Sequence, residues 1–320
     1  MVTRTPTRDV LARMGSQPVL WAAWSRVAAG SRLPGADGVS LAEFGRNLGP
    51  RLGRLSDLLR AGRYQPQPLR PLVALRGGKA RIRAVPTICD RVAQRAFLDV
   101  CAPALAATAA TSFSYRPGKS WLDAIARARR CRDAGLPWVL RSDIEDFFAR
   151  VDHQHLADTL RQRLPDPDAA ALAHAWATAP LLTDDGPVPR RRGLPEGAPV
   201  SPLLAELYLT GFDHAIHRHH GHLVRYADDL SVFCPTAEDA ISALHAVETH
   251  LADLSLTINA DKTFIASFDH GFALLGWHFQ AATAHPVTTT EPRARQSRRV
   301  PAVGLLVTLM TELDRRARTR

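Results

Sequence analysis

The chain has 320 residues, of which 46% are hydrophobic and 22% charged, enough for one large core or two modest ones and outside the range of a wholly disordered protein. Lys and Arg number 41 against 31 Asp and Glu, a surplus of +10, and eight Arg against three acids between Glu291 and Arg320 put half of it in the last thirty residues. That balance favours a polyanionic partner, nucleic acid being the commonest in a cell, over a merely solvated basic surface. No apolar run approaches the roughly 20 residues that cross a bilayer, and Val19–Trp24 is too short for a signal-peptide core. Cys89, Cys101, Cys131 and Cys234 are widely spaced with no C-x-x-C pair, which disfavours a zinc ribbon or a disulfide framework. A cytoplasmic protein with no membrane association is expected.

Val10, Leu11 and Met14 give an apolar helical face, and Leu41, Phe44, Leu48, Leu52, Leu55 and Leu58 predict one helix over 41–59. Pro34-Gly35-Ala36-Asp37-Gly38 between them reads as a loop. From Gln65 to Val85 the pattern turns strand-like, with a hairpin at Arg76-Gly77-Gly78-Lys79, and a helix follows Asp90. Trp138-Val139-Leu140 is a short strand leading into Asp143, a helix starts near Asp152, and Pro165-Asp166-Pro167 breaks the helical pattern after it. Asp184-Asp185-Gly186 marks a second hairpin. Leu203–His219 and Ala237–Leu254 are helical, Leu223–Phe233 forms two strands bent at Ala227-Asp228, and Gly271–Phe279 is strand-like. The mixture lacks regular βαβ repetition, which predicts an α+β fold around a mainly antiparallel sheet.

Two adjacent carboxylates, Asp228 and Asp229, sit at the bend of an apolar hairpin. One Asp in a turn is ordinary turn chemistry; two repel each other unless a cation neutralises them, and Mg²⁺ accepts a few carboxylates with phosphate oxygens and water. Asp143, at the end of its own strand, has the same setting. If the two strands are neighbours, these carboxylates meet at one sheet edge and can hold two metals about 3.5–4 Å apart, activating a 3′-hydroxyl and stabilising departing pyrophosphate. Either motif alone is explained as well by turn structure; together, in this order, they favour metal chemistry. His214, His217, His219, His220 and His222 fit no zinc spacing and read as a polar connector.

Val139–Phe148, Gly193–Pro202 and Arg225–Phe233 together resemble the palm motifs of reverse transcriptases, most closely those of the bacterial group II intron-like branch. The similarity runs from about Leu33 to Phe279. It implies a right-hand polymerase with fingers and an antiparallel palm sheet flanked by helices, the thumb short or absent. By position, Asp143, Asp228 and Asp229 are the catalytic, metal-binding aspartates, for two Mg²⁺ ions that Mn²⁺ can replace. Phe148 matches the bulky residue that blocks a ribose 2′-hydroxyl, which selects deoxynucleotides; one of Phe147 and Phe148 is expected in the core. Gly193–Pro202 matches the loop that packs on the nucleotide and templating base, so Pro195 falls to template contact and Glu196 and Gly197 to the nucleotide. This chain has Glu196 where the family usually has Gln, and Glu206 where it usually has Asn.

Lys79, Arg81 and Arg83 alternate along one strand, on one face by period two, and match the fingers segment that grips the triphosphate; a solvated strand face is the competing reading. Ser112–Ser120 matches a segment in which Arg116 and Lys119 approach template, primer or nucleotide; its Gly118-Lys119-Ser120 is no phosphate loop, because Phe113 occupies the required first glycine. Lys262 matches a lysine near the triphosphate that donates a proton to pyrophosphate, a surface lysine being the alternative. Trp277 falls in the primer-grip hairpin.

The resemblance implies residues 1–62 as an N-terminal helical extension, 63–280 as fingers and palm, and 281–320 as a short basic thumb remnant or tail, with an apolar helix over Val303–Leu313. The expected partners are an RNA template, a DNA or RNA primer and dNTPs, with an accessory protein or structured RNA supplying the thumb. Compact relatives act beside CRISPR adaptation or antiphage defence, and intron splicing is not expected. The rival readings are a maturase-like RNA-binding protein with a vestigial site, and template-independent DNA synthesis on the same site.

Overall fold

The computed structural model describes residues 9–76, 79–105, 111–116, 118–164 and 166–287. In chain order the elements are α1 (Val10–Met14), α2 (Gln17–Ala28), α3 (Leu41–Arg46), α4 (Leu48–Arg60), β1 (Arg70–Arg76), β2 (Lys79–Val85), α5 (Ile88–Leu105), α6 (Trp121–Asp133) and β3 (Trp138–Asp143). There follow α7 (Phe147–Arg150), α8 (His153–Arg163), α9 (Pro167–Thr178), β4 (Leu181–Thr183), β5 (Gly186–Val188) and α10 (Ser201–His219). The last described are β6 (His222–Tyr226), β7 (Asp229–Cys234), α11 (Ala237–Asp253), β8 (Phe264–Ser267), β9 (Phe272–Leu274), β10 (Trp277–Gln280) and β11 (Thr283–Pro286). The expected helix over Val303–Leu313 lies outside the described residues. No helix among them is long and apolar enough to cross a membrane.

Two compact units divide the chain, one of Met1–Thr108 with Phe148–Leu209, the other of Ala109–Phe147 with Thr210–Arg320. In the first, α1 and α2 pack on α4 and α5. The single helix predicted over 41–59 is two. Asn47 leaves helical geometry (φ −119°, ψ 40°) and caps α3 on one side and α4 on the other, while Ser40 and Glu43 form a reciprocal capping box that starts α3. Leu59 rather than Leu58 joins Leu52 and Leu55 in the core, at the i, i+3, i+7 spacing of one face of α4. β1 and β2 are an antiparallel hairpin from Arg70↔Val85 to Arg76↔Lys79. Below it, Asp90 at the start of α5 accepts hydrogen bonds from Tyr64 Oη (2.7 Å), Thr87 Oγ1 (2.7 Å) and the Gln67 amide (3.2 Å). Asp152 and Asp166 cap α8 and α9, which accounts for the start expected near Asp152 and the break at Pro165–Pro167.

The second unit holds a four-stranded antiparallel sheet in the order β6-β7-β3-β8. Val139, Val224 and Phe233 pack with Ala124, Ile125 and Ala128 of α6, while the alternate residues Leu140, Leu223 and Val232 are buried as well, and α11 packs on β3 and β7. A sheet whose successive residues are all buried is covered on both faces, so its chemistry is confined to its ends. β9, β10 and β11 form a separate antiparallel sheet whose Phe272, Leu274 and Phe279 join the same core as α6. The segment 271–279, read as strand-like, is thus a hairpin.

Candidate active site

β3 and β7 pair in register so that Asp143 is opposite Asp229, and the Ile144 amide donates to the Asp228 carbonyl at 3.0 Å. The two strand ends, 85 positions apart in sequence, therefore meet at one edge, as the metal-site reading of the sequence required. β6 and β7 are joined by the two residues Ala227 and Asp228, with Tyr226 opposite Asp229. Ala227 has φ +57°, the left-handed side of the map, where glycine is favoured. Beyond β3, the Asp143 carbonyl accepts from the Asn259 amide (2.7 Å), and the Thr257 carbonyl accepts from that of Glu145 (2.9 Å). These bonds bring the short 3₁₀ turn Ala260–Lys262 to the same edge, where Lys262 Nζ donates to Asp143 Oδ2 at 2.5 Å.

Burial raises the Asp228 carboxyl above the usual carboxylate value; the Asp143 charge adds to the rise and the Lys262 ammonium opposes it. The bond to Asp143 raises the Lys262 ammonium, and the charges of Asp228 and Asp229 contribute further. Asp143 and Asp228 are thus a pair of hard-oxygen donors whose negative charges reinforce each other, the donor chemistry that Mg²⁺ takes, and Lys262 is the cation already beside them.

Asp229 is placed differently. Its carboxylate is bound by both terminal nitrogens of Arg141, with Arg141 Nη2 to Asp229 Oδ2 at 3.0 Å. Arg141 also donates to Ser231 Oγ (2.6 Å) and, through Nε, to the Ala273 carbonyl (3.2 Å). No group of three His, Cys, Asp or Glu side chains among the described residues is arranged to hold a metal. Asp143 and Asp228 come together with Lys262; Asp229 shares the bend but is tied to the arginine.

The other predicted residues of the second unit lie near its aromatic groups. Lys119 Nζ stands 5.6 Å from the Phe113 ring centre, and Arg116 Nη1 donates to the Ser112 carbonyl at 3.1 Å. Trp277, at the start of β10, is stacked by the Arg129 guanidinium at 5.3 Å and lies 6.4 Å from Trp121.

The remaining candidates belong to the first unit. Phe148 is half-buried, whereas Phe147, the last residue of a segment of the second unit, is buried and is the core residue of the pair. The Phe148 carbonyl accepts from the Leu194 amide at 2.6 Å, which fixes the Gly193–Pro202 loop beside it. Within that loop the Pro195 carbonyl accepts from Ser201 Oγ (2.9 Å) and the Ala198 amide (3.1 Å), closing the turn onto the start of α10. The Glu196 carbonyl accepts from the Ala84 amide at 2.8 Å, and Gly197, at φ +116°, lies so close that an added Cβ would stand 3.2 Å from the Ala84 carbonyl. The loop is therefore seated on the end of β2, next to exposed Arg83; the side chains of Lys79 and Arg81 lie outside the described residues.

Three polar residues at this site escaped sequence reading: Arg141, Arg225 and Asp213, all buried. The available signal was an arginine inside each of two short apolar strands, which needs a buried partner to be tolerated.

Residues 74–279 match the family Reverse transcriptase (RNA-dependent DNA polymerase). Protein YkfC of Escherichia coli is 28% identical over 312 residues, covering 83% of this chain and 81% of that protein. The group II intron-encoded protein LtrA of Lactococcus lactis is 25% identical over 166 residues, 51% of this chain and 28% of LtrA. Among solved structures, telomerase from Candida tropicalis has a TM-score of 0.54 at 11% identity over 69% of this chain and 55% of that one, a likeness of fold alone. A chain of a partial Cas6-RT-Cas1–Cas2 complex is 28% identical with a TM-score of 0.48, covering 79% of this chain and 42% of its own length. The chain thus spans most of YkfC but under a third of LtrA. The kinship with LtrA agrees with the group II intron-like branch that the motifs resemble, and the α+β palm with its aspartate-bearing hairpin agrees with the fold. With a match over well over half its length, the chain belongs to the reverse transcriptase (RNA-dependent DNA polymerase) family.

Proposed function

We propose that this chain extends the 3′ end of a DNA or RNA primer with deoxynucleotides on an RNA template, at the edge formed by Asp143 and Asp228. The observation that carries the reading is the pairing of β3 with β7, which ties the Ile144 amide to the Asp228 carbonyl and brings Asp228 under the charge of Asp143, with burial and that charge raising Asp228. Two Mg²⁺ ions, for which Mn²⁺ can substitute, would supply the polarisation of the attacking hydroxyl and of the departing pyrophosphate when bound. Asp143 and Asp228 would hold them, and Asp229 would assist from the same bend while Arg141 tethers it. Lys262 would donate a proton to the leaving pyrophosphate; the bond to Asp143 that raises its ammonium works against that transfer, so the bond would have to be given up first.

Lys79, Arg81 and Arg83 on β2 would grip the triphosphate, with Glu196 and Gly197 lining the nucleotide on the loop seated at the same strand end. The Phe148 ring would exclude a 2′-hydroxyl by filling the space beneath the sugar. Arg116, Lys119, Pro195 and Trp277 would contact template and primer, the cations through phosphates and the indole by stacking.

The test is extension of a primed RNA template with dNTPs and Mg²⁺ or Mn²⁺, comparing wild type with Asp228→Asn. Loss of extension with retained RNA binding is expected; unchanged extension by the variant refutes the reading. Omission of the template separates this activity from template-independent synthesis, and an inactive wild type that still binds RNA would favour a maturase-like binder.

A further inference from the structure

Three residues before Asp228, Arg225 lies in β6 with its side chain fully buried against an equally buried Asp213 of α10. The pair is bidentate, Nε to Oδ1 and Nη2 to Oδ2 both at 2.7 Å. Nη1 donates to the Ala227 carbonyl at 2.9 Å. The Ala227 amide, on the other side of the same residue, donates to Ser114 Oγ at 2.9 Å. Both backbone polar groups of Ala227 are thus held by side chains. The Arg225 backbone is held too, its amide donating to Thr111 and its carbonyl accepting from Phe113, at 2.9 and 3.0 Å.

Ala227 is the residue that needs such support. Its φ of +57° is left-handed, a conformation that costs a residue with a Cβ about 1–2 kcal/mol, and glycine, which avoids that cost, would also loosen the bend. A buried ion pair is seldom a net source of stability, because desolvation of both charges offsets their attraction. An arginine at zero exposure that donates from Nη1 to the carbonyl of a residue with positive φ, one residue before the proposed catalytic carboxylate, is better explained by geometry than by stability.

We propose that Arg225, oriented by Asp213 and opposed by Ser114, is a positioning residue that fixes the left-handed Ala227 and thereby aims Asp228 at its partner Asp143. Arg225 touches no reacting atom; it acts through one peptide carbonyl. The inference rests on the polymerase reading for its kinetic consequence, but its structural claim stands independently of it.

The decisive variant is the double replacement Arg225→Met with Asp213→Leu, which removes both buried charges and retains apolar volume, so stability is expected to stay near wild type. Arg225→Met alone leaves Asp213 unpaired and is expected to melt earlier. For the double variant, kcat for primer extension should fall about 100-fold, the scale of an ångström-level misplacement of a reacting group. KM for dNTP and affinity for the template-primer should stay within about twofold, since no phosphate-binding group changes. Amide hydrogen exchange over 226–230 should accelerate relative to wild type at matched melting temperature. Ser114→Ala removes the opposite strut without touching the ion pair and should move kcat and exchange in the same direction, keeping the test available if the double variant does not fold. Recovery of wild-type kcat or wild-type exchange in a stable double variant overturns the proposal, as does an unaffected bend in Ser114→Ala if only that variant folds. If wild type itself fails to extend a primer, the polymerase reading falls while the exchange comparison still decides the role of Arg225.

Discussion

Asp228→Asn should stabilise the metal-free protein while it destroys the site. The Asp228 carboxyl is raised by burial first and by the Asp143 charge second, so its ionised form is disfavoured in the fold relative to the unfolded chain. A carboxyl raised on folding binds its proton more tightly in the native state, so native stability falls as pH rises through the unfolded and then the folded pKa. The loss grows as pH rises, and an amide of the same shape removes it. Relief of a strained functional site typically returns about 0.5–2 kcal/mol, a rise of roughly 1–4 °C in Tm for a protein of this size. Mg²⁺ acts in the opposite sense: at tenfold its Kd it stabilises wild type by RT ln 11, about 1.4 kcal/mol, and the variant far less. The assay is thermal unfolding of both proteins in EDTA and across a Mg²⁺ titration, at pH 7.5 and pH 5. The expected result is a variant that melts higher in EDTA, shows a smaller Mg²⁺ shift, and has a smaller advantage at the lower pH, the direction in which a raised carboxyl takes up its proton. A variant that melts lower in EDTA, or responds to Mg²⁺ as wild type does, refutes the electrostatic account of the pair.

The fold was legible where local chemistry and tertiary packing agree. Asp152, Asp166 and Thr236 each cap the helix next in the chain, and the apolar alternation of Leu223–Phe233 survives as β6 and β7 because both faces of the sheet are covered. It failed at Asn47, where a polar residue in mid-pattern was overruled by the Leu–Phe periodicity around it. The apolar spacing of 41–59 is compatible with one helix or two, and the backbone at Asn47 distinguishes them.

The site was legible in its acids and opaque in its cations. Asp143 and Asp228 are conspicuous because each is an acid at the end of a short apolar strand, and the pairing of β3 with β7 joins them. Arg141 and Arg225 are inconspicuous because a sequence shows an arginine's charge but not its partner. Their partners are 88 and 12 positions away, on another strand and on a helix, and neither offset follows from helical or strand periodicity. The resemblance places Asp229 among the metal-binding aspartates, and the sequence does not show that its carboxylate is also bound by Arg141, 88 positions earlier.

Gly193→Ala should lower the urea midpoint, by about 2–4 kcal/mol of stability, because the residue sits at φ +86° and a Cβ would stand 2.8 Å from the Phe148 and Ala149 carbonyl oxygens; a neutral substitution would contradict that geometry. Phe148→Ala should narrow the preference for deoxynucleotides over ribonucleotides by about 10- to 100-fold in kcat/KM, read by competing dNTP against rNTP; unchanged discrimination removes Phe148 from the sugar pocket. Arg141→Met should cost about 2–3 kcal/mol, less than the loss of a partner in full burial, because the Asp229 side chain is 29% exposed and water can reach it. Adding Asp229→Asn should restore much of that, and a double-mutant cycle should give a coupling of at least about 1 kcal/mol. The same single variant should bind Mg²⁺ severalfold more tightly by calorimetry, since releasing Asp229 adds a third carboxylate to the two at the bend and affinity rises with ligand charge. Unchanged Mg²⁺ affinity with strong coupling would mean that the arginine braces the strand ends without holding Asp229 back from the cation.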